Sequence, residues 1–309
     1  MRRYLPLKPI QGALGLLLTG ILVLGALLPS AMAAEDIRFG QGLLWKVQKD
    51  GGPVSYVLGT IHSTDSRLHD LPPQIDGALD ESRTIAFEFI GTPDQQQKMV
   101  QAIQLPPGEQ LEEILGPELF ERTVATLQPL GIPARLLQGL KPWSLSLYLV
   151  LPPIELARQA QGKPAFDFWL QAEAKRRGKQ LHSLESIEEQ IALFDDMSRN
   201  DQVAMVEDML ADYANIEANF SRLFRAYLRG DISSLMKQAN DYSEVSDAAA
   251  AERLSERLLD DRNVSMMQSM LPLLLQGEAF VAIGALHLPG EGGVLDLLEQ
   301  RGYRVTRAY

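Results

Sequence analysis

Short apolar segments mark both ends of the chain, and a three-to-four spacing of apolar residues fills its middle. Leu43–Gln48 and Ser55–Ile61 flank Lys49-Asp50-Gly51-Gly52-Pro53, which predicts a β-hairpin with a Gly-containing loop. Further strands are predicted at Thr84–Phe89, at Lys179–Leu184 after Gly178, at the strongly apolar Phe280–Leu286 and at Tyr303–Ala308. Residues 91–276 read as mainly helical, interrupted by Pro-Pro at 106–107 and 152–153. The longest helix is expected over Asn200–Arg229, where Val203, Val206, Met209, Leu210 and Tyr213 lead a periodic stripe that Gly230 stops. Ser186-Ile-Glu-Glu189 has the form of a capping box. Pro272 should kink or end the helix running from Asp247. End strands this apolar cannot stand alone. The expected fold is therefore α/β, a mixed sheet built from both ends of the chain with a large helical middle region.

Composition narrows the chemistry. The 309 residues are 46% hydrophobic and 22% charged, as in folded globular proteins. Cysteine is absent, which excludes disulfides, thiolate metal sites and thiol nucleophiles. A formal net charge of −11 offers no basic footprint, so no nucleic-acid partner is expected. Arg2, Arg3 and Lys8, the apolar run Gly12–Leu28 and Ala31-Met32-Ala33 together read as a signal peptide over residues 1–33, cleaved after Ala33. Residues 34–309 are then expected to form one periplasmic or secreted domain. A membrane would be met only through an uncleaved signal segment.

No Gly-x-Ser-x-Gly, His-Glu-x-x-His, P-loop or Gly-x-Gly-x-x-Gly motif occurs. Two matching motifs do: Gly59-Thr-Ile-His62 and Gly284-Ala-Leu-His287, each ending a predicted strand. They use two of the four histidines, and strand ends of this kind are where open α/β sheets build sites. A single Gly-x-x-His is more often a satisfied core histidine; repetition brings the two readings level. Glu88 shares a strand face with Thr84 and Ala86 among apolar neighbours, so its carboxylate needs a partner. Glu185 reads equally well as a site residue or an exposed acid opening the next helix. Arg262 in Asp260-Asp-Arg-Asn263 reads as an ordinary helix charge, and His69 and His182 as structural.

Taken in order, Leu44-Trp-Lys-Val, Ser55–His62, Leu71-Pro-Pro73, Phe87-Glu88, Leu184-Glu185, Leu259–Asn263 and Phe280–Gly290 resemble the TraB/GumN (TIKI-like) family, most closely its exported bacterial GumN-type members. The resemblance implies a fold related to the erythromycin-esterase/ChaN group. Animal TIKI members are membrane-linked metalloproteases dependent on Mn or Co; other relatives act in pheromone shutdown, hydrolyse a lactone or bind haem. Carried over by position, His62, Glu88 and His287 match the family's site residues, joined by Glu185 and Arg262. Ser183 stands where the family usually has glycine, and Asp261 where glutamate is common. The resulting expectation is a periplasmic metal-dependent hydrolase acting on a peptide or another amide or ester bond. His62, His287 and Glu88 would hold Mn²⁺ or Co²⁺, the spare carboxylate of Glu88 or Glu185 would serve as base, and Arg262 would stabilise the oxyanion. The alternative is a non-catalytic haem- or metal-binding protein, or an interaction protein with a protein partner in envelope polysaccharide production.

Overall fold

Each strand segment expected from the sequence forms a strand: β1 (Leu44–Lys49), β2 (Val54–Thr60), β3 (Thr84–Phe87), β4 (Gln180–Ser183), β5 (Ala279–Gly284) and β6 (Tyr303–Arg307). They share one six-stranded sheet in the order β4-β3-β5-β2-β1-β6. This computed structural model describes residues 37–241 and 248–309. The expected signal peptide lies outside the described residues. Among those described, no helix is long and apolar enough to cross a membrane.

The topology places the site. β1 and β2 form the antiparallel hairpin, and β6 pairs antiparallel with β1. β2, β5, β3 and β4 run parallel to one another, so their carboxyl ends form one continuous edge. β5 lies between β2 and β3 and is buried along its whole length, which explains its unbroken apolar sequence. Its alternate residues feed two cores. Phe280 and Ala282 join Leu58, Ile85, Phe87 and the aromatic residues of the helix Ile216–Leu228 on one face. Val281 and Ile283 join Val57, Met266, Met270 and Leu274 on the other.

Five helices bear on the site: α1 (Phe166–Arg176), α2 (Ile187–Asp195), α3 (Arg199–Asp212), α4 (Ile216–Leu228) and α5 (Asp261–Gln276). The capping box expected at Ser186 opens α2. The single long helix expected over Asn200–Arg229 is instead α3 and α4, separated by a 3₁₀ turn at Tyr213–Asn215. Its last turn ends as expected at Gly230, whose φ of 66° suits a residue without Cβ. Pro272 does not end its helix, because α5 carries it through to Gln276; the expected start at Asp247 lies outside the described residues. The strand expected to reach Leu286 stops at Gly284, where a 3₁₀ turn over Ala285–His287 begins. Just before α5, Glu256–Asp260 form a π-helical turn in which the Asp261 N–H bonds the Glu256 carbonyl. Such an insertion changes the phase of the following helix. Arg262 and Asn263, both buried, follow it directly and lie at the sheet edge, where Arg262 meets Glu88 and Asn263 meets His287.

Candidate active site at the parallel-strand edge

His62, Glu88, Glu185 and His287 each lie just beyond the carboxyl end of one of the four parallel strands. In the parallel register Gly59 stands opposite Ile283 and Thr60 opposite Gly284, so the two Gly-x-x-His motifs run side by side, one residue out of step. At Gly59 a Cβ would come within 2.8 Å of Leu288 Cδ1 and 3.0 Å of the Ala285 backbone. Glycine there lets the two motifs pack together. Gly284 serves differently: its N–H donates to Glu88 Oε1 at 2.5 Å.

Arg262 is the hub of the charged half. Its Nε donates to Glu185 Oε1 at 2.8 Å, and one terminal nitrogen donates to Glu185 Oε2 and Glu88 Oε2, each at 2.7 Å. The other faces His287 Nε2 at 3.2 Å and the Leu258 carbonyl at 3.4 Å. All five guanidinium N–H groups thus meet protein acceptors. The carboxylate that the β3 pattern required to be partnered has this partner. Burial alone would raise the pKa of Glu88; the Arg262 charge overrides it and holds the carboxyl down at about 2. The main-chain N–H of Glu185 donates to the Glu88 carbonyl at 2.9 Å, tying the two acids' strands together beyond the sheet.

His287 is fully buried and belongs to this half. Asn263 gives its amide N–H to the Gly292 carbonyl, which leaves its Oδ1 to accept from His287 Nδ1 at 2.7 Å. The Nδ1 proton is thereby fixed, and Nε2 presents a lone pair to Arg262. Burial, then the guanidinium charge, pushes the imidazole down to about 3, so it is neutral at physiological pH.

His62 occupies a different setting. Its Nδ1 lies 2.6 Å from Asp167 Oδ2, and the Thr60 hydroxyl donates to Asp167 Oδ1 at 2.5 Å. Burial would lower this pKa, yet the charge and hydrogen bond of Asp167 raise it above the ordinary histidine value. In the neutral imidazole, with Nδ1–H on the carboxylate, Nε2 is an acceptor; it is buried and has no protein partner. His62 and Glu88 line one cavity of about 20 Å³ with Asp167, Gln190 and aromatic side chains.

Asp167 and Gln190 carried no signal in the sequence. Asp167 sits in the first turn of α1, 105 residues from His62, and reads there as an ordinary N-terminal helix acid. Of the other two histidines, His69 stacks on Trp169 with ring centroids 4.7 Å apart, and His182 is exposed on β4.

Of the expected ligands, the unpaired His62 Nε2 lines the same cavity as the Glu88 carboxylate, whose two oxygens accept from Arg262 and the Gly284 N–H. Among the described residues no three His, Asp or Glu side chains gather as a metal site. The Nε2 lone pair of His287 is engaged by Arg262.

The model of the TraB/PrgY/gumN family matches residues 43–307, a span holding every residue of this site. The chain belongs to that family. Metalloprotease TIKI1 of Danio rerio is 26% identical over 310 residues, covering 85% of this chain and 62% of that protein. Metalloprotease TIKI1 of Homo sapiens is 25% identical, covering 86% of this chain and 61% of that protein. This TraB/PrgY/gumN chain therefore spans only about three-fifths of the length of those relatives. The uncharacterized protein YbaP of Shigella flexneri is 25% identical over 254 residues, covering 80% of this chain and 89% of that protein. No solved structure matches the chain.

Proposed function

We propose that this chain is a hydrolase of the protease-like kind that its TIKI relatives are named for, acting outside the cytoplasm on a peptide or another amide or ester bond. One observation carries the reading: His62 has its Nδ1 proton held by Asp167 and a free, buried Nε2 lone pair at a cavity. That is the arrangement of a general base. Nε2 takes a proton from water, the Asp167 carboxylate stabilises the imidazolium that forms, and the Thr60 hydroxyl keeps the carboxylate in line. The proton then passes from Nε2 to the leaving group. Arg262 can meet a developing oxyanion by exchanging its longest contacts, those at 3.2 and 3.4 Å to His287 and Leu258. If a divalent ion such as Mn²⁺ or Co²⁺ is bound, His62 Nε2 and Glu88 would hold it, with His287 joining if it exchanges its Arg262 contact; the ion would then replace His62 as the activator of water by lowering the pKa of a bound one. Haem capture finds little room, since the cavity is about 20 Å³.

The test is peptidase and esterase assay of the purified protein with Mn²⁺ or with chelator, beside His62→Ala. Loss of a general base should lower kcat by about 10²–10⁴-fold. Equal turnover in the two proteins under both conditions would remove the reading.

A further inference from the structure

We infer that Gln190 is a positioning residue of this site: together with His62 it holds one water molecule, the one the proposed hydrolysis consumes. Gln190 lies in the first half of α2 and is 2% exposed. Its Nε2 donates to Glu185 Oε2 at 3.2 Å, which fixes the amide, because the opposite orientation would set a carbonyl oxygen against a carboxylate. Oε1 is therefore an acceptor, and it is buried without a protein partner. In the neutral ring, the form a general base must have, His62 Nε2, on a residue 6% exposed, is a second such acceptor.

Both side chains line the cavity of about 20 Å³. One water needs about 10–15 Å³ and two to four polar partners. Most of the other polar groups around the cavity are already engaged. Both Glu88 oxygens accept from Arg262 and Gly284, both Asp167 oxygens from His62 and Thr60, and Gln171 gives its Nε2–H to the Phe89 carbonyl. Phe87, Phe89, Phe168 and Ala282 supply the apolar remainder of the wall. Two buried acceptors without donors, at a cavity of one water's size, call for a molecule that donates twice.

A water with one O–H on His62 Nε2 and the other on Gln190 Oε1 keeps its lone pairs free for a carbonyl carbon. As the new C–O bond forms, Nε2 takes the proton it already holds by hydrogen bond. The second O–H stays on Gln190, and the leaving nitrogen or oxygen recovers the proton from His62 as its bond to carbon breaks. Gln190 thus orients the nucleophile without exchanging a proton. It also links the base, through Glu185, to the Arg262 network.

The catalytic half of this inference rests on the proposed hydrolase; the water site does not. Crystal structures of the wild type and Gln190→Met test the site directly. In the wild type a water oxygen should lie about 2.6–3.2 Å from both His62 Nε2 and Gln190 Oε1, and in Gln190→Met it should be gone. Kinetics on a fluorogenic peptide and on p-nitrophenyl acetate test the role. Gln190→Met should lower kcat about tenfold with KM unchanged, and should add nothing in a His62→Ala background, since both residues act through one water. If Gln190→Met does not fold, Gln190→Asn, which withdraws the amide by one carbon, should show the same losses. Absence of the water from the wild type, its persistence in the variants, or a kcat loss that multiplies with that of His62→Ala would overturn the inference. If no protein turns over either substrate, the hydrolase reading fails and the crystal structures still decide the water site.

Discussion

The two Gly-x-x-His motifs lie side by side on parallel strands and deliver their imidazoles to the same sheet edge, yet the molecule treats them oppositely. His62 Nδ1 rests on a carboxylate, Asp167; His287 Nδ1 rests on a neutral amide, Asn263. Beyond the other nitrogen, His62 faces a cavity and His287 faces a guanidinium. The first imidazole is pushed toward its protonated form and the second to about 3. A strand-end motif therefore sets where a histidine goes, whereas the groups brought by the helices set what it does. The His62 half has an unsatisfied lone pair and suits chemistry. The His287 half is hydrogen-bonded throughout and, apart from the two long Arg262 contacts open to an oxyanion, suits holding that chemistry in place.

The comparison breaks most severely at Arg262. Arg262→Met would leave Glu88 and Glu185 buried without their cation, at a cost of about 3–5 kcal/mol by chemical denaturation. Glu88→Gln should cost less, because Arg262 keeps both bonds to Glu185. A folded Arg262→Met as stable as the wild type would mean that the acids are held by something other than the arginine.

Exchanging the anchors tests the contrast next. Asp167→Asn gives His62 the neutral support that His287 has, so its pKa should drop and kcat at neutral pH should fall about 10–100-fold, roughly 1.4–2.7 kcal/mol. Asn263→Asp gives His287 a carboxylate and should raise its pKa from about 3, read by imidazole NMR titration. Unmoved titrations in both variants would show that the anchors do not set the difference.

Stability against pH should have opposite slopes for the two histidines. Folded His62 titrates above its ordinary 6.5, so its contribution is complete below that value and is lost as pH rises through the folded pKa. Folded His287 stays neutral down to about 3, while the unfolded chain takes up a proton below about 6.5. Its burial therefore destabilises increasingly as pH falls through that window, by up to about 1.4 kcal/mol per pH unit. Glu88 adds to the acid side, where its stabilisation is lost as pH falls from 4.5 toward about 2. His287→Gln should flatten the acid limb and His62→Gln the neutral-to-alkaline one, in denaturation curves taken from about pH 4 to 9. Identical limbs in both variants would erase the distinction.

How much of this could be read beforehand follows from where the information lies. Strand identity was legible because β5 is buried on both faces and the hairpin carries its own loop chemistry, so local sequence and fold agree. The need of Glu88 for a partner was legible from its apolar strand. The identity of that partner was less so, since Arg262 has the local pattern of a solvated helix charge and follows a π turn that the sequence does not mark. Asp167 and Gln190 were illegible: an acid and an amide early in a helix are ordinary, and only tertiary packing sets them at the cavity. The break between α3 and α4 was equally hidden, because the apolar stripe runs through Tyr213 and Ile216 without a Gly or Pro to mark it.

The smallest expected effect concerns Ser183. Its hydroxyl donates to the Glu185 carbonyl at 2.9 Å and accepts from the Ile90 N–H at 3.2 Å, bridging the chain after β4 to the chain after β3. Ser183→Gly removes both bonds and loosens the backbone, for a cost of about 1–2 kcal/mol. The site should survive, because the same two segments are also joined by Glu185 N–H to the Glu88 carbonyl and by Leu184 N–H to the Phe87 carbonyl, at 2.9 and 2.8 Å. Arg262 then clamps the two carboxylates independently of the hydroxyl. Turnover should accordingly stay within about twofold while the denaturation midpoint falls, the pattern of a bond that supports stability without touching the reacting groups. If Ser183→Gly instead lost activity as deeply as Asp167→Asn, the satisfied half of the edge would be setting the geometry of the reactive half through a single hydroxyl, and the division between the two would have to be redrawn.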